Sequence, residues 1–324
     1  PFSFTANRMN TATPQNPGLL NWFLVTTLGI IWGGAFMSVR LSLDGFGPWT
    51  VAAWRTGLGG ITLAIIGGAL GQGVHTIPTA RAWKFAAIIG AGAVALPFAL
   101  LSWGQQFVPS AFAGVAMGAV PLLVLPLVYM FSKEEGIGPR RVIGMLLGFV
   151  GLFILVGPGA AASTGHENEW LGRLACLGAA GCYACGSVVT RRAPGMPPIA
   201  FATATLLAAA IILIPIALIT EGWPDSFPAT PTTALIYAAL FPTALAAVIR
   251  VRVITTAGSL FMSLTSYQVP VWSVIFGVSF MSETLPPQLF FALAIILAGI
   301  GISQSKQLLR RRPRAAPRDI APKI

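Results

Sequence analysis

The chain has 324 residues, of which 55% are hydrophobic and only 9% charged, with a mean hydropathy of +0.79. A soluble domain carries roughly 25% charged residues, so this chain cannot clothe itself as a water-soluble globule. Its net charge of +11 does not point to nucleic acid, because the Lys and Arg residues punctuate apolar runs instead of forming a basic face.

Met9 reads as the natural first residue, and the residues before it are set aside. The first apolar run is long and has no small-residue cleavage site, so it reads as a retained helix and not a removable leader. A helix rising about 1.5 Å per residue needs about 20 residues to cross a hydrocarbon core of about 30 Å. Apolar runs bounded by Pro, Gly and charge predict such helices near 19–42, 48–70, 81–103, 110–132 and 138–157. Five more follow near 170–191, 198–220, 231–252, 258–281 and 287–305. The expected fold is all-α and integral to the bilayer, with ten transmembrane helices. The polar stretch Ala160 to Glu169 is the expected linker between units 19–157 and 170–306. Residues 307–324, with Arg310, Arg311, Arg312, Arg314 and Arg318, read as a basic cytoplasmic tail.

Short cytoplasmic loops are enriched in Lys and Arg. One side receives Arg8, Arg81, Lys84, Lys133, Arg140, Arg141, Arg191, Arg192, Arg250, Arg252 and seven more from Lys306 onward. The other has Arg40 and Arg173 with Asp44, Glu167, Glu169, Glu221, Asp225 and Glu283. Both termini are therefore expected in the cytoplasm, in a plasma membrane of the bacterial inner-membrane type. Cys176, Cys182 and Cys185 share one apolar span without a nearby His, and read as packing residues, not a redox or metal motif. No metal or cofactor is expected.

The chain contains an internal repeat. The pairs Ser110 and Ser259, Phe112 and Phe261, Pro121 and Pro270, Phe131 and Phe280, and Glu134 and Glu283 are separated by one interval without a gap. A looser match aligns Ile31 to Arg40 with Cys182 to Arg191. Five crossings per copy is an odd number, so the second copy must enter from the opposite side and lie inverted. Inverted repeats supply two nearly equivalent conformations, one open to each side, around a site near the midplane.

The run Ile31-Trp-Gly-Gly-Ala-Phe-Met-Ser-Val-Arg40, with Gly47-Pro-Trp to Arg55 and the two Pro-to-Glu segments, resembles the drug/metabolite transporter superfamily, in particular its EamA-type ten-helix members. The resemblance covers Leu19 to Lys306 and implies export of small metabolites. Within that family the chain is most similar to bacterial amino-acid exporters, aromatic amino acids included. The motifs carry framework more than substrate choice.

Ser259, Ser263, Ser266, Pro270, Ser273 and Gly277 recur at intervals of three or four and share one helix face. That face is either a small-residue packing seam or a wall of a central cavity. Met117 is the repeat equivalent of Ser266, and Pro121 and Pro270 are expected helix breaks. Trp22, Trp49, Trp83, Trp170 and Trp223 fall near span ends and read as interfacial, whereas Trp32, Tyr183, Tyr267 and Trp272 lie nearer the midplane. With Gln268 beside Tyr267, they suit a flat, partly apolar ligand with a polar end. Arg55 reads as the one charge well inside a span. It would meet a substrate carboxylate, snorkel toward Asp44, or bind backbone carbonyls. Glu134 and Glu283 are expected to cap neighbouring helices or pair locally.

No Asp, Glu or His falls near a midplane, since His75 and His166 are in loops, which favours facilitative movement over coupling through a buried carboxylate. The alternatives are a proton-coupled exporter of other metabolites or drugs, a membrane enzyme, or a scaffold. The enzyme lacks a base beside a nucleophile and a ligand cluster, and no TVGYG-like filter argues for a channel. A monomer is the expected state.

Overall fold

The computed structural model describes residues 18–131, 138–156 and 167–309. Met9, Lys133, Glu134, residues 157–166 of the linker region and the tail from Arg310 lie outside them.

The described residues are helical, with no strand among them. The order is α1 (Leu19–Ser42), α2 (Pro48–Ala69), a short 3-10 turn, then α3 (Ala80–Gly90), which passes through a π-helical stretch (Ala91–Ala95) into α4 (Leu96–Gly104). α5 (Ser110–Ala116), α6 (Ala119–Phe131) and α7 (Pro139–Val156) complete the first half. The second half runs α8 (Glu169–Thr190), α9 (Pro198–Thr220), α10 (Ala229–Ala239), a π stretch (Leu240–Leu245) and α11 (Ala246–Ala257). It ends with α12 (Ser259–Met262), α13 (Thr265–Met281) and α14 (Pro287–Leu309). Among the described residues eight helices are long and apolar enough to cross a membrane, α3–α4, α5–α6 and α10–α11 each counting as one. The apolar part of α14, Pro287–Ser303, is shorter, and α12–α13 comes in two pieces.

Local chemistry sets the boundaries. Pro48, Pro139, Pro198 and Pro287 open α2, α7, α9 and α14, where the missing N–H is no loss and φ is already helical. The Thr79 hydroxyl accepts from the Ala82 N–H at 3.2 Å and caps α3. Gly258, at φ 86°, ends α11 in a conformation that a Cβ would resist.

Four boundaries differ from expectation. The span expected to close at 252 continues to Ala257, because no breaker occurs before Gly258, so Arg250 and Arg252 lie within the helix and not at its junction with a loop. The helices expected to be continuous at 110–132 and 258–281 are interrupted by turns at Met117–Gly118 and Ser263–Leu264. The last helix continues to Leu309, three residues into the expected tail.

Between apolar helices in lipid, association depends on close van der Waals packing through small residues. α7 and α14 pair antiparallel in this way: a Cβ on Gly144 would stand 2.5 Å from the Gly299 carbonyl oxygen, and one on Gly299 2.6 Å from that of Gly144. α2 runs antiparallel to α9, with Gly60 against Leu206 and Gly67 against Ile199. α1 runs parallel to α13, with Gly29 at Gln268 and Gly33 at Trp272. These directions collect Asp44, Glu221 and Glu283 at one end of the bundle, the acidic end, and Arg81, Lys84, Arg140, Arg191 and the end of α11 at the other, the basic end.

At the acidic end two carboxylates close helix starts. Glu221 accepts from the Trp49 N–H at 2.9 Å and the Thr50 N–H at 2.8 Å. Glu283 accepts from the Ser110 N–H at 2.6 Å and the Ala111 N–H at 3.1 Å, which is the capping role read for it in the sequence. Each supplies acceptors to N–H groups that have no partner within their helix.

Candidate functional site

The interval that separates Ser110 from Ser259 also separates Ala91 from Leu240, the first residues of the two π stretches. A π turn breaks the regular backbone ladder and is often found at functional sites. Around Leu240–Leu245 it leaves groups for other helices to use. The Trp32 indole N–H donates to the Pro242 carbonyl at 3.1 Å. Thr243 donates its hydroxyl to the Ala238 carbonyl at 2.8 Å and accepts from Arg55 Nε at 3.0 Å. α1 and α2 of the first half are thereby tied to the π stretch of the second.

Arg55 is 8% exposed. Its guanidinium carbon lies 4.0 Å above the centre of the Phe98 ring, a cation–π contact worth up to about 2 kcal/mol when desolvated. Among the described residues no carboxylate lies within ion-pair distance of it, and of its five N–H donors only the one on Nε has an acceptor. Asp44 is instead paired with Arg40 at 2.8 Å, so the reading in which Arg55 snorkels toward Asp44 does not hold. An uncompensated buried cation is costly and has a strong call on an anion. Tyr183, on α8, packs against the cluster that contains Phe98.

Trp32, Met117, Tyr183 and Tyr267 all pack, partly buried, against the largest core cluster, to which α1, α4, α5, α6, α7, α8, α13 and α14 contribute. The Tyr267 hydroxyl is buried without a hydrogen-bond partner among the described residues, leaving a donor and acceptor for a ligand. Tyr183 packs against both this cluster and the one that contains Phe98, the ring beneath Arg55.

The other candidates fall elsewhere. A Cβ on Gly29 would stand 2.7 Å from Gln268 Oε1, so the Gln268 side chain lies along α1. Trp272 lies over Gly33 and stacks on Phe276 at 5.8 Å, a packing role between α1 and α13. Ser273 abuts Gly114 and donates to the Pro270 carbonyl at 2.8 Å, and Gly277 lies beside Ala111, so this part of the small-residue face is a seam. Ser263 is in the turn between α12 and α13, and Ser266 in the first turn of α13. Pro121 follows the Met117–Gly118 interruption by one turn, and its missing N–H is the one that would have bonded the Met117 carbonyl. Pro270 lies further from the Ser263–Leu264 turn, inside α13.

Phe98 and Thr243 were not legible as site residues. Each follows a proline, Pro97 or Pro242, by one position, and a mid-span proline next to a polar or aromatic residue was the available signal.

A bundle of long apolar helices, alternating in direction and enclosing a buried cation over an aromatic ring, is the architecture of a multi-pass membrane transporter. The profile of the EamA-like transporter family matches residues 20–157 and again 170–303, and the chain belongs to that family. It is 25% identical over 307 residues to a probable terminal-alkyne amino-acid exporter of Streptantibioticus cattleyicolor, covering 91% of this chain and 97% of that one. It is 28% identical over 298 residues to the uncharacterized inner membrane transporter YedA of Escherichia coli, covering 90% and 92%. The uncharacterized transporter YvbV of Bacillus subtilis is 23% identical over 297 residues, covering 90% and 94%. A solved crystal structure superposes with a TM-score of 0.65 at 22% identity, covering 90% of this chain and 99% of that one, a likeness of fold.

Proposed function

We propose that this chain exports small carboxylate-bearing metabolites, amino acids and aromatic ones among them, by alternating access between two inverted five-helix halves. In this reading it has ten membrane spans in the units 19–157 and 170–306, both termini and the basic end face the cytoplasm, and the solute moves down its gradient without a coupled ion. The observation that carries it is Arg55: a buried guanidinium with unused donors and no described carboxylate partner, lying over the Phe98 ring. A solute carboxylate supplies the missing anion, and Trp32, Met117 and the free Tyr267 hydroxyl receive a flat apolar body with a polar edge. Ser263, Ser266, Gln268 and Trp272 then act at the α1–α13 seam, and the interruptions at Met117–Gly118 and Ser263–Leu264, which precede Pro121 and Pro270, mark where the halves bend. The amino-acid exporter among the relatives supports the same substrate class.

The test is uptake of radiolabelled aromatic and aliphatic amino acids into liposomes containing the purified protein, with and without a pH gradient, beside empty liposomes. Uptake of aromatic substrates that does not depend on the gradient is expected. Uptake only with the gradient replaces the facilitative reading with a proton-coupled one, and none under either condition removes amino acids as the substrate class.

A further inference from the structure

A second arginine stands inside a span. α11 continues to Ala257, which places Arg250 about 10 Å from that helix end at roughly 1.5 Å per residue. It follows Thr243, the hydroxyl that holds Arg55, by about two helical turns and so projects from nearly the same face. Both flanks of that face are packed. Ala246, Val253 and Ala257 are buried against Val25 and Leu28 of α1. On the other side Ala247, Val248 and Val251 pack against Leu63 of α2 and Ile199 and Leu206 of α9. Arg250 itself is exposed. A side chain that is exposed between two packed flanks stands in a crevice between α1 on one side and α2 and α9 on the other, and not in the lipid.

Arg250 has no ion pair or hydrogen bond with any described residue. The described acidic residues, Asp44, Glu167, Glu169, Glu221, Asp225 and Glu283, are at the acidic end. From the basic end inward, the described crevice therefore presents two successive cations, Arg250 and then Arg55, and no carboxylate. A crevice lined by one sign of charge between low-dielectric walls concentrates ions of the other sign.

We propose that Arg250 is an anion-receiving site on the approach to Arg55: a solute entering from the basic end pairs its carboxylate with Arg250, then passes it along the same face of the helix to Arg55. Arg250 selects for a carboxylate before the solute reaches the aromatic neighbourhood. The inference rests on the transport reading above for its direction, but the charge of the crevice can be measured without any solute.

The charge is read with Ile254→Cys, one turn beyond Arg250, in a chain carrying Cys176→Ser, Cys182→Ser and Cys185→Ser. Inside-out vesicles are labelled with an anionic sulfonatoethyl and a cationic trimethylammonium-ethyl methanethiosulfonate. The anionic reagent is expected to react about tenfold faster, relative to its rate with a small free thiol, and Arg250→Gln is expected to abolish that preference while Arg250→Lys keeps it. A preference unchanged by Arg250→Gln, or no labelling of either Ile254→Cys or Arg250→Cys from that face, overturns the proposal. In liposomes, Arg250→Gln is expected to raise the half-saturating L-phenylalanine concentration at the basic face about tenfold with the maximal rate kept, and an unchanged value overturns the receiving role. If the wild-type protein moves no phenylalanine, the transport reading falls, and the labelling ratio alone decides whether Arg250 draws anions.

Discussion

The Glu283 carboxylate accepts from the Ser110 backbone N–H at 2.6 Å, and the acid at the end of α13 in the second half thereby closes the start of α5 in the first. Glu221 does the same for α2 through Trp49 and Thr50. Both bonds are charge-assisted, both use N–H groups that no helix partner can satisfy, and both place negative charge at the positive end of a helix dipole. These two clasps join the halves at the acidic end, so any motion that separates the halves there must release them.

Replacing one acid by its amide tests the clasp while keeping its shape. Glu283→Gln loses the charge and one of two acceptors, and is expected to destabilise the protein by about 1–2 kcal/mol. Glu221→Gln should cost a similar amount, and because the two sites share no partner the double variant should show close to the sum. Thermal unfolding in detergent reads the effect. A double variant as stable as the parent would show that the clasps are incidental to holding that end.

Arg55 is tested by charge and by shape. Arg55→Gln removes the cation and should reduce transport of carboxylate solutes at subsaturating concentration about a hundredfold, in keeping with about 3 kcal/mol for a buried charge-assisted pair. Because it also relieves an uncompensated buried charge, the variant should unfold at a temperature no lower than the parent. Arg55→Lys keeps the charge but loses the planar fork that reaches Thr243 and covers Phe98, and should recover only part of the rate. Equal rates for the parent and Arg55→Gln would remove this residue from the substrate path.

Trp32→Phe keeps the aromatic bulk and removes the N–H that the Pro242 carbonyl receives at 3.1 Å. The expected cost of losing this bond between helices is about 1–2 kcal/mol. Loss of the tie should also loosen the π stretch that positions Thr243 for Arg55. A slower rate for carboxylate solutes, together with faster hydrogen exchange at Leu240–Leu245, is the expected pair of results. A rate change without altered exchange would mean that Trp32 acts on the solute directly.

The fold was largely legible because its controlling signals are local and repetitive. Apolar run length, the prolines at 48, 139, 198 and 287, and glycine at 258 are all sequence-local, and they mark where helices begin and end. The site was legible only in part. Arg55 stood out because a charge inside an apolar run is conspicuous, whereas Arg250 lay next to the expected span end at 252 and was counted with the loop charges, while the helix runs on to Ala257. Phe98 and Thr243 matter through what they touch on other helices, and Gln268 and Trp272 turned to the α1 seam because Gly29 and Gly33 leave room there. Such facts belong to tertiary packing, which spacing along one helix does not encode.

The α7–α14 contact offers a prediction with an internal control. Gly144 and Gly299 meet backbone to backbone, and a methyl on either would stand 2.5 Å or 2.6 Å from the other's carbonyl oxygen, closer than a carbon can approach. A flexible side chain could move aside, but a helix backbone can yield only by separating the pair. Gly144→Ala and Gly299→Ala should therefore each destabilise by about 1–3 kcal/mol, as overpacked sites do. Gly301, on the same helix as Gly299, has open space where its Cβ would be. Gly301→Ala should be neutral or stabilise by up to about 1 kcal/mol, because alanine favours the helix over glycine. Unfolding in detergent separates the two cases. Equal effects at 299 and 301 would mean that helix propensity governs α14, while loss at 299 alone would place its stability in close backbone contact with α7. Since neither glycine is near Arg55, the rate per folded molecule should stay at the parental value in all three variants.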